Sequence, residues 1–159
     1  MKQKRLVSVI GALVLIISAV ALISGCQQAN GNQNNTDSDW NPVSNKNDLV
    51  GTWKASFSMS GVVGSKTLFV ASDFSGSLQH EENYSSADAS YAASVNDAVS
   101  ELRKQGFNVE HNTTNKTINA KLDFTPEVLE GLLSFMKLNS SKTKMKFIMG
   151  ENSMEYTKQ

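Results

Sequence analysis

The side chains with the clearest potential for chemistry in this sequence are one thiol and two imidazoles. Cys26 is the only cysteine among the 159 residues, so no intrachain disulfide can form. It stands where an uncharged run, Leu6–Ile23, has ended in the small residues Ser24 and Gly25. A thiol at this position could act as a lone nucleophile or be a site of covalent processing, and processing is the interpretation we favour. An uncleaved transmembrane helix and a buried free thiol remain as alternatives.

The order of features around Cys26 resembles the signal of bacterial lipoproteins. Three positive charges in residues 1–5 precede the apolar run, and Ile23-Ser24-Gly25-Cys26 matches the lipobox. The resemblance implies that a diacylglycerol is attached to Cys26 and that the chain is cut between Gly25 and Cys26. Two or more acyl chains, such as palmitate, give stable attachment to a membrane. We therefore expect a lipid-anchored protein of the cell envelope on the extracytoplasmic side of the cell membrane.

The mature chain is expected to consist of a tether and one domain. Residues 26–48 are polar and Asn-rich, which predicts a disordered linker that spans roughly 25 Å, while residues 49–159 are expected to form a single domain. Trp40 is expected to cap the edge of the core. Without the three charges of the signal, 12 Lys and Arg oppose 15 Asp and Glu, so nucleic acid is not an expected partner.

A second place where chemistry is conceivable is "HEEN", residues 80–83. On a strand, His80 and Glu82 share one face and Glu81 points to the other. The spacing lacks the second histidine of a zincin helix, and His111 is the only other imidazole. We expect a structural or solvated role, with no metal bound.

The sequence offers little else for catalysis. It contains no G-x-S-x-G, Walker or glycine-rich phosphate-binding motif, and its serines lack a paired base. The expectation is a protein that is not an enzyme and holds no cofactor. Lys142, Lys144 and Lys146 form a row on one predicted strand face, which indicates either a protected edge strand or a contact with anionic lipid. Protection of an edge strand is the interpretation we favour.

The elements that must position these residues follow from hydrophobic periodicity. Strict alternation over 52–59 predicts a first strand, a turn at 60–64 leads to a second, and a third covers 77–83. A helix should open at Ser85 or Ser86 and end at Gly106, and a second should span 125–138. With two further hairpins the order is βββ-α-ββ-α-ββ. The predicted class is α+β, an antiparallel sheet packed by two helices.

The start of the domain is similar to lipocalin-like domains in one short motif. Gly51-x-Trp53 enters the first strand, and the resemblance implies a barrel with an apolar ligand inside. The residues expected to line such a site are Trp53, Phe57, Leu132 and Met136. Trp53 as an ordinary core residue is the competing interpretation.

Three functions therefore stand as hypotheses. The first is a non-enzymatic module that binds a small apolar ligand or peptide, suggested by the methionine- and phenylalanine-rich interior. The second is an interaction or structural lipoprotein that engages an envelope protein through its surface. The third, for which the sequence gives least support, is a hydrolase.

Overall fold

The computed structural model describes residues 40–150 and 152–159. Cys26, the cleavage site, the signal peptide and most of the predicted linker lie outside the described residues. The described part is an antiparallel sheet of nine strands with two α-helices, which confirms the α+β class. The strands are β1 (Trp40–Pro42), β2 (Gly51–Met59), β3 (Val62–Val70), β4 (Gly76–Asn83), β5 (Asn108–Asn112), β6 (Thr117–Phe124), β7 (Met136–Asn139), β8 (Lys144–Met149) and β9 (Asn152–Lys158). The helices are α1 (Ala89–Lys104) and α2 (Pro126–Leu132).

The strands pair in the order β1-β7-β8-β9-β2-β3-β4-β6-β5. Strands β2, β3 and β4 form the predicted meander, and β9 returns to the open side of β2. Strands β1 and β5 are the two edges, and no pairing between them closes the sheet in the described part of the chain.

The predicted order of elements was wrong at two strands. The helix expected over 125–138 ends at Leu132 and passes through a 3-10 turn into β7, because Met136 pairs with Phe147 of β8. The second difference is at the start of the sheet. Trp40–Pro42 pairs with β7 and a 3-10 helix follows at Lys46–Leu49, so the sheet begins inside the range assigned to the linker.

A tight hairpin replaces the five-residue turn expected at 60–64. Ser60 and Gly61 both have positive φ, 50° and 80°, and β3 already begins at Val62. A two-residue turn with positive φ at both positions matches the twist of antiparallel strands. It sets the register in which Lys66 faces Ala55 of β2 and His80 of β4.

Helix α1 has well-defined ends. Its N-cap is Asp88, a few residues later than predicted, and the Asp88 carboxylate accepts a hydrogen bond from the Tyr91 N–H at 2.9 Å. At the other end Gly106 has φ +93°, and the Phe107 N–H donates to the Leu102 carbonyl at 3.1 Å. The predicted glycine cap is thus confirmed.

The sheet curls around its own core, and both helices cover the inner face. Residues from distant parts of the strand order line one small cavity, among them Leu68, Leu78, Leu122, Met145 and Tyr156. Leu132 of α2 lies against the same cavity, and Val95 and Val99 of α1 are buried in the core. The inner face therefore holds one continuous apolar core, while the outer face carries the alternate, mostly polar residues.

Candidate functional site

The four residues expected to hold an apolar ligand do not form one site. Leu132 and Met136 line the cavity, whereas Trp53 is fully buried and its Nε1–H donates to the Leu49 carbonyl at 2.7 Å. Phe57 is half-buried and stacks on the His80 ring, with 5.8 Å between the ring centroids. Leu132 and Met136 therefore pack together at the cavity, while Trp53 and Phe57 pack elsewhere on the inner face.

The cavity inside the core is very small. Its volume is about 10 Å³ and every residue around it is apolar or aromatic. This is about the space that one water molecule needs, and an apolar wall offers water no hydrogen bonds. Among the described residues that line this cavity the core is therefore close-packed, with no room for a ligand of several atoms.

A cluster of polar side chains is buried at the other end of the inner face, beneath α1. Lys66 of β3 is only 1% exposed, and His80 and Glu82 of β4 are 6% and 7% exposed. Lys66 and His80 face each other across the strands. As predicted, His80 and Glu82 share the inner face while Glu81 is exposed on the outer face.

Hydrogen bonds join this buried cluster to α1. The Glu82 carboxylate accepts from the Tyr91 hydroxyl through Oε1 and contacts His80 Nε2 through Oε2 at 3.0 Å. His111 does not join them directly, since its Nε2 contacts the Tyr84 hydroxyl at 2.7 Å. The cluster therefore fastens the helix to the sheet by a charged hydrogen bond. No group of three His, Cys, Asp or Glu in residues 40–150 and 152–159 is placed to hold a metal ion.

Burial and charge shift the pKa values of three members of the cluster. Burial lowers the pKa of Lys66 to about 7, against the attraction of the Glu82 charge. Burial acts to raise the pKa of Glu82, but hydrogen bonds from His80 and Tyr91 and the nearby positive charges hold that pKa below its ordinary value. Burial, followed by the hydrogen bond to Glu82, raises the pKa of Tyr91.

These shifts are of the kind that accompany acid–base chemistry, but the geometry favours a structural role. A substrate would have to reach side chains that are more than nine-tenths covered, and α1 lies across them. Nδ1 of His80 is buried without a hydrogen-bond partner among the described atoms.

A polar groove lies on the outer face of the sheet, across β4, β6 and β5. It encloses about 280 Å³ and its walls carry amide, carboxylate and ammonium groups. The residues with outward side chains are Gln79, Glu81, Asn108, Glu110, Asn119 and Lys121. The Glu81 carboxylate is held by the Ser65 hydroxyl at 3.1 Å. In the sequence these residues look like the ordinary solvent face of three strands, so no local signal distinguished them.

Lys144 and Lys146 lie on β8, in the interior of the sheet and not at its edge, whereas Lys142 lies in the turn before that strand. The preferred interpretation of the row as protection of an edge strand was therefore wrong. Strand β8 lies between β7 and β9. Each lysine has its own contact: Lys142 with Asp48 at 2.9 Å, Lys144 with Glu155 at 2.8 Å, and Lys146 over the Trp40 ring at 4.5 Å. The row therefore cannot serve to protect an edge strand.

Comparison with known proteins gave no relative of this chain: no family model, no curated protein and no solved structure matches it. Within the described residues, no helix is both long and apolar enough to cross a membrane.

Proposed function

We propose that this chain is a lipid-anchored protein of the cell envelope, attached through Cys26, and that its domain is a non-enzymatic binding module that acts through its surface. The observation that carries this choice is the contrast between a filled interior and an open polar groove. The interior holds a cavity of about 10 Å³, and the groove on β4, β6 and β5 encloses about 280 Å³. In the part of the chain that the structure describes, the groove therefore offers a surface partner more room than this cavity offers an apolar ligand.

The chemistry of the groove indicates the kind of partner. Small-molecule pockets are mostly apolar, whereas this groove is lined by amides and charged groups. Asn108, Asn119 and Gln79 each offer both donors and acceptors, and Glu81 and Glu110 add carboxylate acceptors. Such a lining suits a polar segment of an envelope protein that hydrogen-bonds along its length and carries positive charge.

The anchor supports the same function from the sequence. The lipobox ends at Cys26, and 13 residues separate it from Trp40, where the sheet begins. A flexible chain of that length spans about 20 Å, so the domain would stay near the membrane with its surface accessible. Attachment of both proteins to the same membrane raises their effective concentration for each other. A modest affinity of the groove for its partner would then be sufficient.

Site-specific photo-crosslinking in cells that produce the full chain tests this proposal. A photoreactive amino acid replaces Asn108 in the groove and, as the control, Ser100 on the exposed side of α1. We expect defined adducts to an envelope protein from position 108 and none from position 100. The double variant Glu81→Gln, Glu110→Gln should abolish the adducts, because it removes both carboxylates of the groove.

Two results would contradict the proposal. Identical adducts from both positions would mean that crosslinking reports only proximity at the membrane. Native mass spectrometry of the extracted protein could instead detect a copurified apolar molecule. That result would favour binding of an apolar ligand in the interior over binding of a partner at the surface.

A further inference from the structure

The outer face of the sheet near the start of the domain carries an excess of positive charge. Met136 and Leu138 of β7 and Met145 and Phe147 of β8 are buried on the inner face, so the residues between them point outward. With one residue of β2, these outward lysines define the basic face: Lys54, Lys137, Lys144 and Lys146.

The basic face is incompletely neutralised by the protein. The outer side of β2, β7, β8 and β9 carries four lysines and one carboxylate, Glu155 of β9. Glu155 pairs with Lys144, so three lysines exceed the negative charge of this face. Lys137 and Lys146 lie directly opposite each other on neighbouring strands. Like charges in that arrangement destabilise a sheet, so the fold bears a cost that an external anion would relieve.

Charge is distributed unevenly over the outer face. Around the polar groove, Glu81, Glu110 and Asp123 outnumber Lys121 on β4, β5 and β6. The whole chain has as many acidic as basic residues, 15 of each. The positive charge of the basic face therefore results from an uneven distribution of charged residues over the sheet, and not from an excess of basic residues in the chain.

The described part of the chain begins at the basic face. Trp40 is the first residue of the edge strand β1 and pairs with Asn139 of β7. Its ring lies under Lys146 Nζ at 4.5 Å. Tryptophan and lysine together are typical of the membrane interface, where the ring enters the headgroup region and the ammonium groups meet lipid phosphates.

We propose that the basic face rests on the anionic lipid surface of the membrane that holds the anchor. This inference depends on the proposed attachment through Cys26 and adds an orientation to it. If the 13 residues between Cys26 and Trp40 behave as the predicted linker, their average end-to-end distance is about 20 Å. The face beside Trp40 is then the part of the domain that stays closest to lipid on average. The polar groove, at the other end of the strand order, then stays open to its partner.

Fluorescence quenching of Trp40 by lipid tests this orientation in the full-length lipidated protein. The protein is reconstituted in phosphatidylcholine vesicles with brominated acyl chains, with and without about 30% phosphatidylglycerol. Trp53 is fully buried, and its constant contribution is measured on Trp40→Phe. We expect quenching of Trp40 in the anionic vesicles only, with loss of quenching as salt is raised.

A triple variant and a matched control separate the basic face from general charge. The first variant, Lys54→Gln, Lys137→Gln, Lys144→Gln, leaves Lys146 on Trp40. The control, Arg103→Gln, Lys104→Gln, Lys116→Gln, removes the same charge elsewhere and leaves the polar groove unchanged. Each lysine near an anionic surface is worth roughly a fivefold factor, so the first variant should lower the ratio of docked to undocked domain by roughly a hundredfold. The control should keep the quenching of the natural protein.

The possible failures are distinguishable. A protein that floats with the vesicles but shows no lipid quenching of Trp40, or equal quenching in both triple variants, overturns the orientation and leaves the anchor intact. A protein that does not float with either type of vesicle refutes the anchor and the orientation together. Circular dichroism of both variants establishes that the fold is retained before quenching is compared.

Discussion

The buried Lys66 should make the free energy of unfolding depend on pH. Its pKa is about 7 in the folded protein, against 10.5 for an exposed lysine, because burial disfavours the ammonium form. In the unfolded chain Lys66 is protonated up to about pH 10. Between these two values the unfolded state binds more protons, so the free energy of unfolding rises with pH.

The size of this effect follows from the two pKa values. A difference of one pKa unit between the folded and unfolded states corresponds to about 1.4 kcal/mol. The full difference for Lys66 therefore limits the rise in the free energy of unfolding between pH 7 and pH 10.5 to about 5 kcal/mol. Over the narrower interval from about pH 7 to pH 9, where few other groups titrate, linkage gives about 2 kcal/mol. Urea unfolding followed by circular dichroism measures such a difference readily.

Two variants isolate the contribution of Lys66. Lys66→Met keeps the length of the side chain without the charge, and should make the free energy of unfolding nearly constant over this interval. Lys54→Met removes an exposed lysine on the neighbouring strand and should retain the rise of about 2 kcal/mol. If Lys66→Met shows the same rise as the natural protein, the assignment of a lowered pKa to the buried Lys66 is refuted.

Three further substitutions probe the packing around the buried cluster and the core. Tyr91→Phe removes a hydrogen bond to the Glu82 carboxylate. At pH values above the ordinary pKa of Glu82, this variant should lower the free energy of unfolding by about 1–3 kcal/mol. Acid unfolding should begin at a higher pH, because the pKa of Glu82 is then less strongly lowered. Trp53→Phe leaves the Leu49 carbonyl without its donor and should cost about 2–3 kcal/mol in urea unfolding. Gly64→Ala places a methyl group against a carbonyl oxygen of β4 and an aromatic ring of β2, and should lower the melting temperature by several degrees, corresponding to about 1–3 kcal/mol.

The strongly periodic parts of the fold could be predicted from the sequence. Alternation of apolar residues predicted β2 and β6, and Gly106 marked the end of α1 because a residue that tolerates positive φ fits there. The end of α2 could not be found in the same way. Leu132 and Met136 are four residues apart, which fits a helical stripe as well as the alternation that Met136 and Leu138 continue. Pairing of Met136 with β8 decides between the two patterns.

Only part of the buried polar cluster could be predicted from the sequence. The shared face of His80 and Glu82 follows from alternation, but Lys66 was passed over although it occupies an inward position between Val62 and Leu68 on the same strand. A lysine in that phase is a signal of burial that can be read from the sequence. The contact of Glu82 with Tyr91 joins a strand to a helix, and its geometry depends on tertiary packing.

The attachment of the chain to lipid through Cys26 is the claim on which the proposed function and the orientation both depend. Mass spectrometry of the mature protein extracted from membranes tests it directly. We predict an amino-terminal peptide that begins at Cys26 and carries the mass of a diacylglycerol with its acyl chains, while Cys26→Ser remains an uncut precursor without lipid. A natural protein that retains residues 1–25, or that begins after them with an unmodified Cys26, would contradict the account.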